Sequence, residues 1–196
     1  DLNKSAWRSM VVIDPLKLVI NNYPEGQSEV MEGENNPEME GGDGFRQIPF
    51  SSELWIERDD FMEEPSKKYF RLGPGLMVRL KHAYIVRCDS FVKDENGNVS
   101  EVHCTYIPES RSGTDTSGIH VKGTIHWVCA KAAQTAEIRL YDRLFRVEDP
   151  SNEEGDFKDY INPDSLTVIS NAFIEPDLMN AEAGRGYQFI RKGYFS

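Results

Sequence analysis

Between Lys67 and Arg87 the stretch KKYFRLGPGLMVRLKHAYIVR carries six basic side chains and no acidic one. Arginine offers a planar donor fork and a stacking face, and lysine a compact point charge. Arg71, Arg79 and Lys81 set on one surface would suit unpaired RNA bases. Such bases are read through bidentate hydrogen bonds and stacking, at about 1–3 kcal/mol each. A patch this small fits a short single-stranded loop better than a long duplex. The competing reading is a solvated basic face that balances acidic neighbours.

Other chemistry is missing from the chain. No G-x-G-x-x-G follows a strand and no G-x-x-x-x-G-K-[ST] occurs; LGPG has the glycines of a tight turn. There is no G-x-S-x-G elbow and no H-E-x-x-H. Cys88, Cys104 and Cys129 are odd in number and include no C-x-x-C, which points to a reducing, cytoplasmic setting without a disulfide framework. No ligand pair has finger-like spacing, and His103 and Cys104 would project to opposite faces of a strand, so no metal site is expected. His126, before Trp127, reads as a packed core or rim histidine. Asp59-Asp60 and Glu63-Glu64 would diverge in a turn, and read as solvation. No self-sufficient active site emerges, and no catalytic residue is assigned.

The 196 residues are enough for one large all-β domain or two small ones. With 39% hydrophobic and 28% charged residues the composition is that of a folded chain. No apolar run approaches the roughly 18 residues of a membrane span. The start, DLNKSAWRSM, has neither an initiating Met nor a signal pattern, and reads as the continuation of a longer protein. Net charge is −11, unevenly spread. Residues 1–66 hold 15 acids and 5 bases, whereas residues 67–93 hold 7 bases and 1 acid. Such a balance argues against bulk polyanion or DNA binding and for one local anionic partner.

The elements that must position these residues read as strands. MVVID, LKLVI, RQIPF and ELWIE are short β-type runs. MVRLKHAYIVR reads as one strong strand with Arg79, Lys81 and Ala83 on one face. Two β runs flank Asn96-Gly97, whose hairpin turn would place both central residues at positive φ. IHVKGTIHWV and AEIRLYDRLFRV alternate, and SLTVISNAFI and GYQFIRKGYF close the chain as strands. The segment NNYPEGQSEVMEGENNPEMEGGDG reads as an acidic, mobile surface excursion. No amphipathic helix exceeds about three turns, so the expected class is all-β, barrels or sandwiches.

The strings VVIDPLKLVINNYPEG, ERDDFMEEPSKKYFRLGPGLMVRLKHAYIVRC, EVHCTY, VKGTIHWVCA, EIRLYDRLF, INPDSL and YQFIRKGYF are collinear and span nearly the whole chain. Together they closely resemble the C-terminal half of the glutaminyl-tRNA synthetase family. The resemblance implies two consecutive β-barrels of the ribosomal-protein and anticodon-binding type. Residues 1–9 would end a linker, 10–110 would form the first barrel and 118–196 the second, with strands exchanged between them. It implies binding of the anticodon stem-loop of tRNA(Gln). The class I catalytic domain, which joins glutamine to tRNA using ATP with magnesium, would lie N-terminal, leaving this part monomeric, cytoplasmic, without a cofactor and inactive alone.

Site residues follow from the same resemblance. Arg8 matches an arginine at the middle base, Arg71 one at the third base and Arg79 one at the first base. Gln188 and Arg191 match a pair that closes over the middle base. Lys68, Phe70 and Lys81 stand beside these where the family can have glutamine, lysine and arginine. Phe70 could stack, and Lys81 keeps the charge but loses the fork. RLYDRLF reads as structural, with Leu140, Leu144 and Phe145 in the core and Asp142 near Arg139 or Arg143. Alternatives are an archaeal- or eukaryotic-type glutamyl-tRNA synthetase, a free-standing ribosomal-RNA-binding barrel, and a module for an acidic protein.

Overall fold

A computed structural model describes residues 2–39 and 44–196. A four-residue helix, Leu2–Ser5, leads into β1 (Trp7–Ser9), β2 (Val11–Val12) and β3 (Pro15–Ile20). Next come β4 (Ser28–Glu34), β5 (Phe45–Ser51) and β6 (Glu53–Glu57). After a 3-10 turn at Arg58–Asp60 lie β7 (Met77–Leu80), β8 (Ile85–Lys93) and β9 (Val99–Ile107). Then follow β10 (Thr124–Ile125), β11 (Trp127–Cys129) and β12 (Gln134–Tyr141). β13 (Leu166–Ile174), β14 (Tyr187–Phe189) and β15 (Gly193–Phe195) end the chain. No helix among the described residues is long and apolar enough to cross a membrane.

The fold is all-β, as the short alternating runs predict. Seven strands form a barrel-like sheet in the order β10-β7-β8-β9-β3-β6-β11. Smaller sheets are β12-β13-β2, β1-β14-β15 and the ribbon β4-β5. In β3 the period of two sends Leu16, Leu18 and Ile20 inward. Phe50 meets Trp127 edge-on at 5.1 Å in the same core. Each such side chain contributes about 1.5–3 kcal/mol on burial. A second cluster gathers Val11, Ile138, Ala172, Ile174 and Tyr187. Distant segments share sheets: β1 runs parallel to β14, and β2 pairs with β13.

Four sequence expectations are corrected. MVRLKHAYIVR is not one strand: β7 and β8 are joined by a tight turn. There Leu80 N–H donates to Tyr84 O at 2.8 Å and Ala83 N–H to Leu80 O at 2.9 Å, with His82 at φ 63. Lys81 therefore lies in a turn instead of sharing a strand face with Arg79, and Ala83 is buried. The acidic excursion contains a strand, Ser28–Glu34, which pairs with Phe45–Ser51 after it. Glu32 and Glu34 are exposed, while Met31 packs inward and Glu29, on the Met31 face, accepts from the Tyr23 and Tyr84 hydroxyls, so composition hid the pairing. Residues 40–43 of that excursion lie outside the described residues. GYQFIRKGYF is a hairpin, β14 against β15, not a strand. Leu140 and Leu144 are exposed and not in the core, Arg139 pairs with Glu137, and Asp142 accepts from its neighbour Arg143 N–H.

The Asn96-Gly97 hairpin joins β8 to β9 as expected, with a different turn. Gly97 alone of that pair has positive φ, 83°. The Asp94 carboxylate accepts from the N–H of Asn96 and of Asn98, each at 2.9 Å, and stiffens the loop.

Candidate nucleic-acid interface

Two buried acids, Asp60 and Glu57, hold Arg71, Arg191 and Lys192, whereas Arg8 and Arg79 pair with exposed ones. Asp60 has no exposed surface and sits at the end of the turn after β6. Arg191 Nη1 and Nη2 donate to its two oxygens at 2.7 and 2.6 Å, a bidentate pair. Arg71 Nη1 lies 3.4 Å from the same carboxylate and donates to Asp59 O at 3.0 Å. Asp60 thus joins Arg71 and Arg191, which are 120 positions apart in the chain, and its reading as a solvating acid is corrected. The hydrogen bond to Asp60 raises the pKa of Arg191 despite burial. Beside it, Lys192 Nζ lies 3.0 Å from Glu57. Burial pulls the Glu57 carboxyl upward, but the nearby His126 ring, the Ile13 N–H and Lys192 outweigh it and hold it at about 2.

A second group forms where the ends of the chain pair. Arg8 and Gln188 stand opposite each other in register on β1 and β14. Arg8 Nη2 donates to Glu38 at 2.7 Å, while its buried Nε has no protein partner among the described residues. Gln188 Nε2 donates to Tyr194 Oη at 3.4 Å. Lys81 belongs to the same neighbourhood: burial, then Arg8 and Arg46, lowers its pKa.

Arg79 is anchored elsewhere. Its Nη1 donates to Ser110 O at 2.7 Å and Ser112 Oγ at 3.2 Å, and its Nη2 pairs with Asp115. Phe70 and Arg71, with Met77, His120 and Lys122, line a shallow groove of about 230 Å³. Lys122 Nζ sits 4.7 Å over the exposed Phe70 ring. Lys68 is exposed nearby in sequence. The groove that Arg71 lines does not include Arg79; the segment 110–123 connects them, holding Arg79 at its start and walling the groove near its end.

So disposed, the cations can take hydrogen-bond acceptors and flat rings. No cluster of metal-ligating side chains occurs among the described residues. Two family models match in tandem, both for "tRNA synthetases class I (E and Q), anti-codon binding domain", over residues 6–107 and 124–196. The chain belongs to this anticodon-binding family. Among relatives, the glutamine–tRNA ligase of Clostridium perfringens is 55% identical over all of this chain and 35% of its own length. That of Rhodopirellula baltica is 55% identical over 99% of the chain and 32% of its length. That of Vibrio vulnificus is 50% identical over the whole chain and 34% of its length. The chain spans about a third of the length of these curated relatives.

Within this family member, sequence reasoning missed Asp60, Glu38 and Asp115, which touch the predicted cations, and Lys122, which sits over Phe70. Acids next to one another in sequence resemble surface charge, and nothing local told buried Asp60 from exposed Asp59. The contacts that separate them come from β14–β15 and from Arg71.

Proposed function

We propose that this chain is the anticodon-recognition part of a glutamine–tRNA ligase and binds the anticodon stem-loop of tRNA(Gln). The tandem family match carries the reading. The geometry supports it. Arg8 and Gln188 are strand neighbours with Arg191 in the next turn, which suits closure around a middle base. Arg71 keeps Nε and Nη2 free of protein partners among the described residues, an edge suited to a bidentate contact with the third base. Phe70 and Lys122 offer a stacking face and a charge next to it. Arg79, at the first base, would have to exchange its bond to Asp115 for RNA. Residues 10–110 and 118–196 act as the two anticodon-binding units. The rest of the protein would supply the class I active site and join glutamine to the tRNA with ATP and magnesium, in the cytoplasm, as a monomer. The residues of this chain are assigned to RNA alone.

The test is binding of anticodon stem-loops to the chain. Arg71→Ala should weaken tRNA(Gln) stem-loop binding about tenfold or more, the loss of one base contact. Affinity should fall only modestly with salt, because few phosphates are neutralised. Equal affinity for stem-loops with every anticodon base exchanged would overturn the reading. Preference for tRNA(Glu) would assign the chain to the glutamate side of the same family.

A further inference from the structure

We propose that Asp60 is a positioning residue for anticodon reading, orienting Arg71 and Arg191 together. This rests on the anticodon reading above and adds to it a residue with no RNA contact of its own. Asp60 is fully buried, and a buried carboxylate persists only when paired and hydrogen-bonded. Both oxygens receive Arg191, at 2.6 and 2.7 Å, and one also faces Arg71 at 3.4 Å. Asp59 O takes the same Arg71 nitrogen at 3.0 Å. One end of the Arg71 fork is thereby pinned while Nε and Nη2 stay available for a base. Arg191 occupies left-handed backbone, φ 66, which costs a non-glycine residue about 1–2 kcal/mol. Strain of this kind persists where surrounding contacts hold it, and the Asp60 pair is such a contact. Arg71 and Arg191 are half-exposed, at 44% and 32% of their side chains, so they face outward from one buried anchor. An ordered fork loses less entropy on binding than a free one.

The experiment measures binding of the chain to the tRNA(Gln) anticodon stem-loop and to versions with the first, middle or third anticodon base exchanged. Asp60→Asn keeps the shape and removes the charge. With the chain still folded by its melting curve, discrimination at the third and middle bases should fall about tenfold, while discrimination at the first base, assigned to Arg79, stays as in the parent. An equal loss at all three positions, or no loss, overturns the proposal, because a merely structural carboxylate would not choose among bases. Should Asp60→Asn fail to fold, Asp60→Glu decides, because it keeps the charge and displaces the carboxylate. Discrimination at the third and middle bases should fall while that at the first base stays as in the parent; an equal loss at all three positions, or no loss, overturns the role given to Asp60. A parent chain that discriminates at no position sinks the anticodon reading itself, whereas an indifferent variant of a discriminating parent sinks only the role of Asp60.

Discussion

His82 sits in left-handed backbone at φ 63 in the turn that splits β7 from β8. Burial, then Lys81 and Arg46, lowers its pKa to about 4. The folded chain therefore disfavours the charged imidazole. The stability tied to this neutral side chain is fully present above the unfolded value of about 6.5 and is lost as pH falls toward 4. Glu57, held at about 2, adds a second loss between its ordinary value of 4.5 and 2. His82→Asn, which tolerates the same backbone, should flatten the urea midpoint between pH 6.5 and 4 and leave the fall below pH 4.5. An unchanged profile would show that His82 does not drive the upper part. At this scale Arg71 and Arg79 were legible, because a basic run in an acidic chain is visible in composition, whereas Arg8, Gln188 and Arg191 came only from the family resemblance. Their partners were not legible. Asp60 is fixed by Arg191, 131 positions away, and no local pattern carries that distance.

The elements explain why a groove forms beside Phe70. β10 runs parallel to β7, with Arg79 N–H donating to Gly123 O at 3.0 Å. A Cβ on Gly123 would stand 1.7 Å from Phe70 O, so only glycine lets the two backbones approach this closely. Gly123→Ala should destabilise the chain by about 1–3 kcal/mol in chemical denaturation through overpacking. It should also weaken stem-loop binding by displacing Phe70 and Lys122; a variant as stable as the parent would contradict the close approach. Strand existence was readable from alternation in β3, β6, β8 and β9. Strand ends were read less well. The turns at Lys81–Ala83 and Ile190–Arg191 contain no Gly, Pro or Asn, so nothing in their residue types announced them. β4 was hidden by its acidic side chains, whereas RQIPF, in β5, was read as a strand.

Over the whole molecule, buried ion pairs lock distant segments. Arg46 on β5 donates to Glu175 at 2.6 and 3.0 Å, with both side chains almost wholly buried. Glu175 also accepts from Met10 N–H, so three remote segments meet on one carboxylate. Arg46→Met would strand that charge and should cost about 3–5 kcal/mol by denaturant unfolding. Arg46→Met with Glu175→Leu should regain part of it, limited by the unpaired Met10 N–H; no recovery would mean that packing and not charge sets the cost. From the residues alone came the strand-rich class and the basic segment within an acidic chain, because alternation and composition are local properties. The collinear motifs carried the family. The tertiary structure alone decided which cations share an anchor, that Arg79 and Arg71 have different anchors, and that the chain ends pair through β1 and β14. The Asp60–Arg191 pair and the β1–β14 pairing cross more than a hundred residues, where burial chooses the partners.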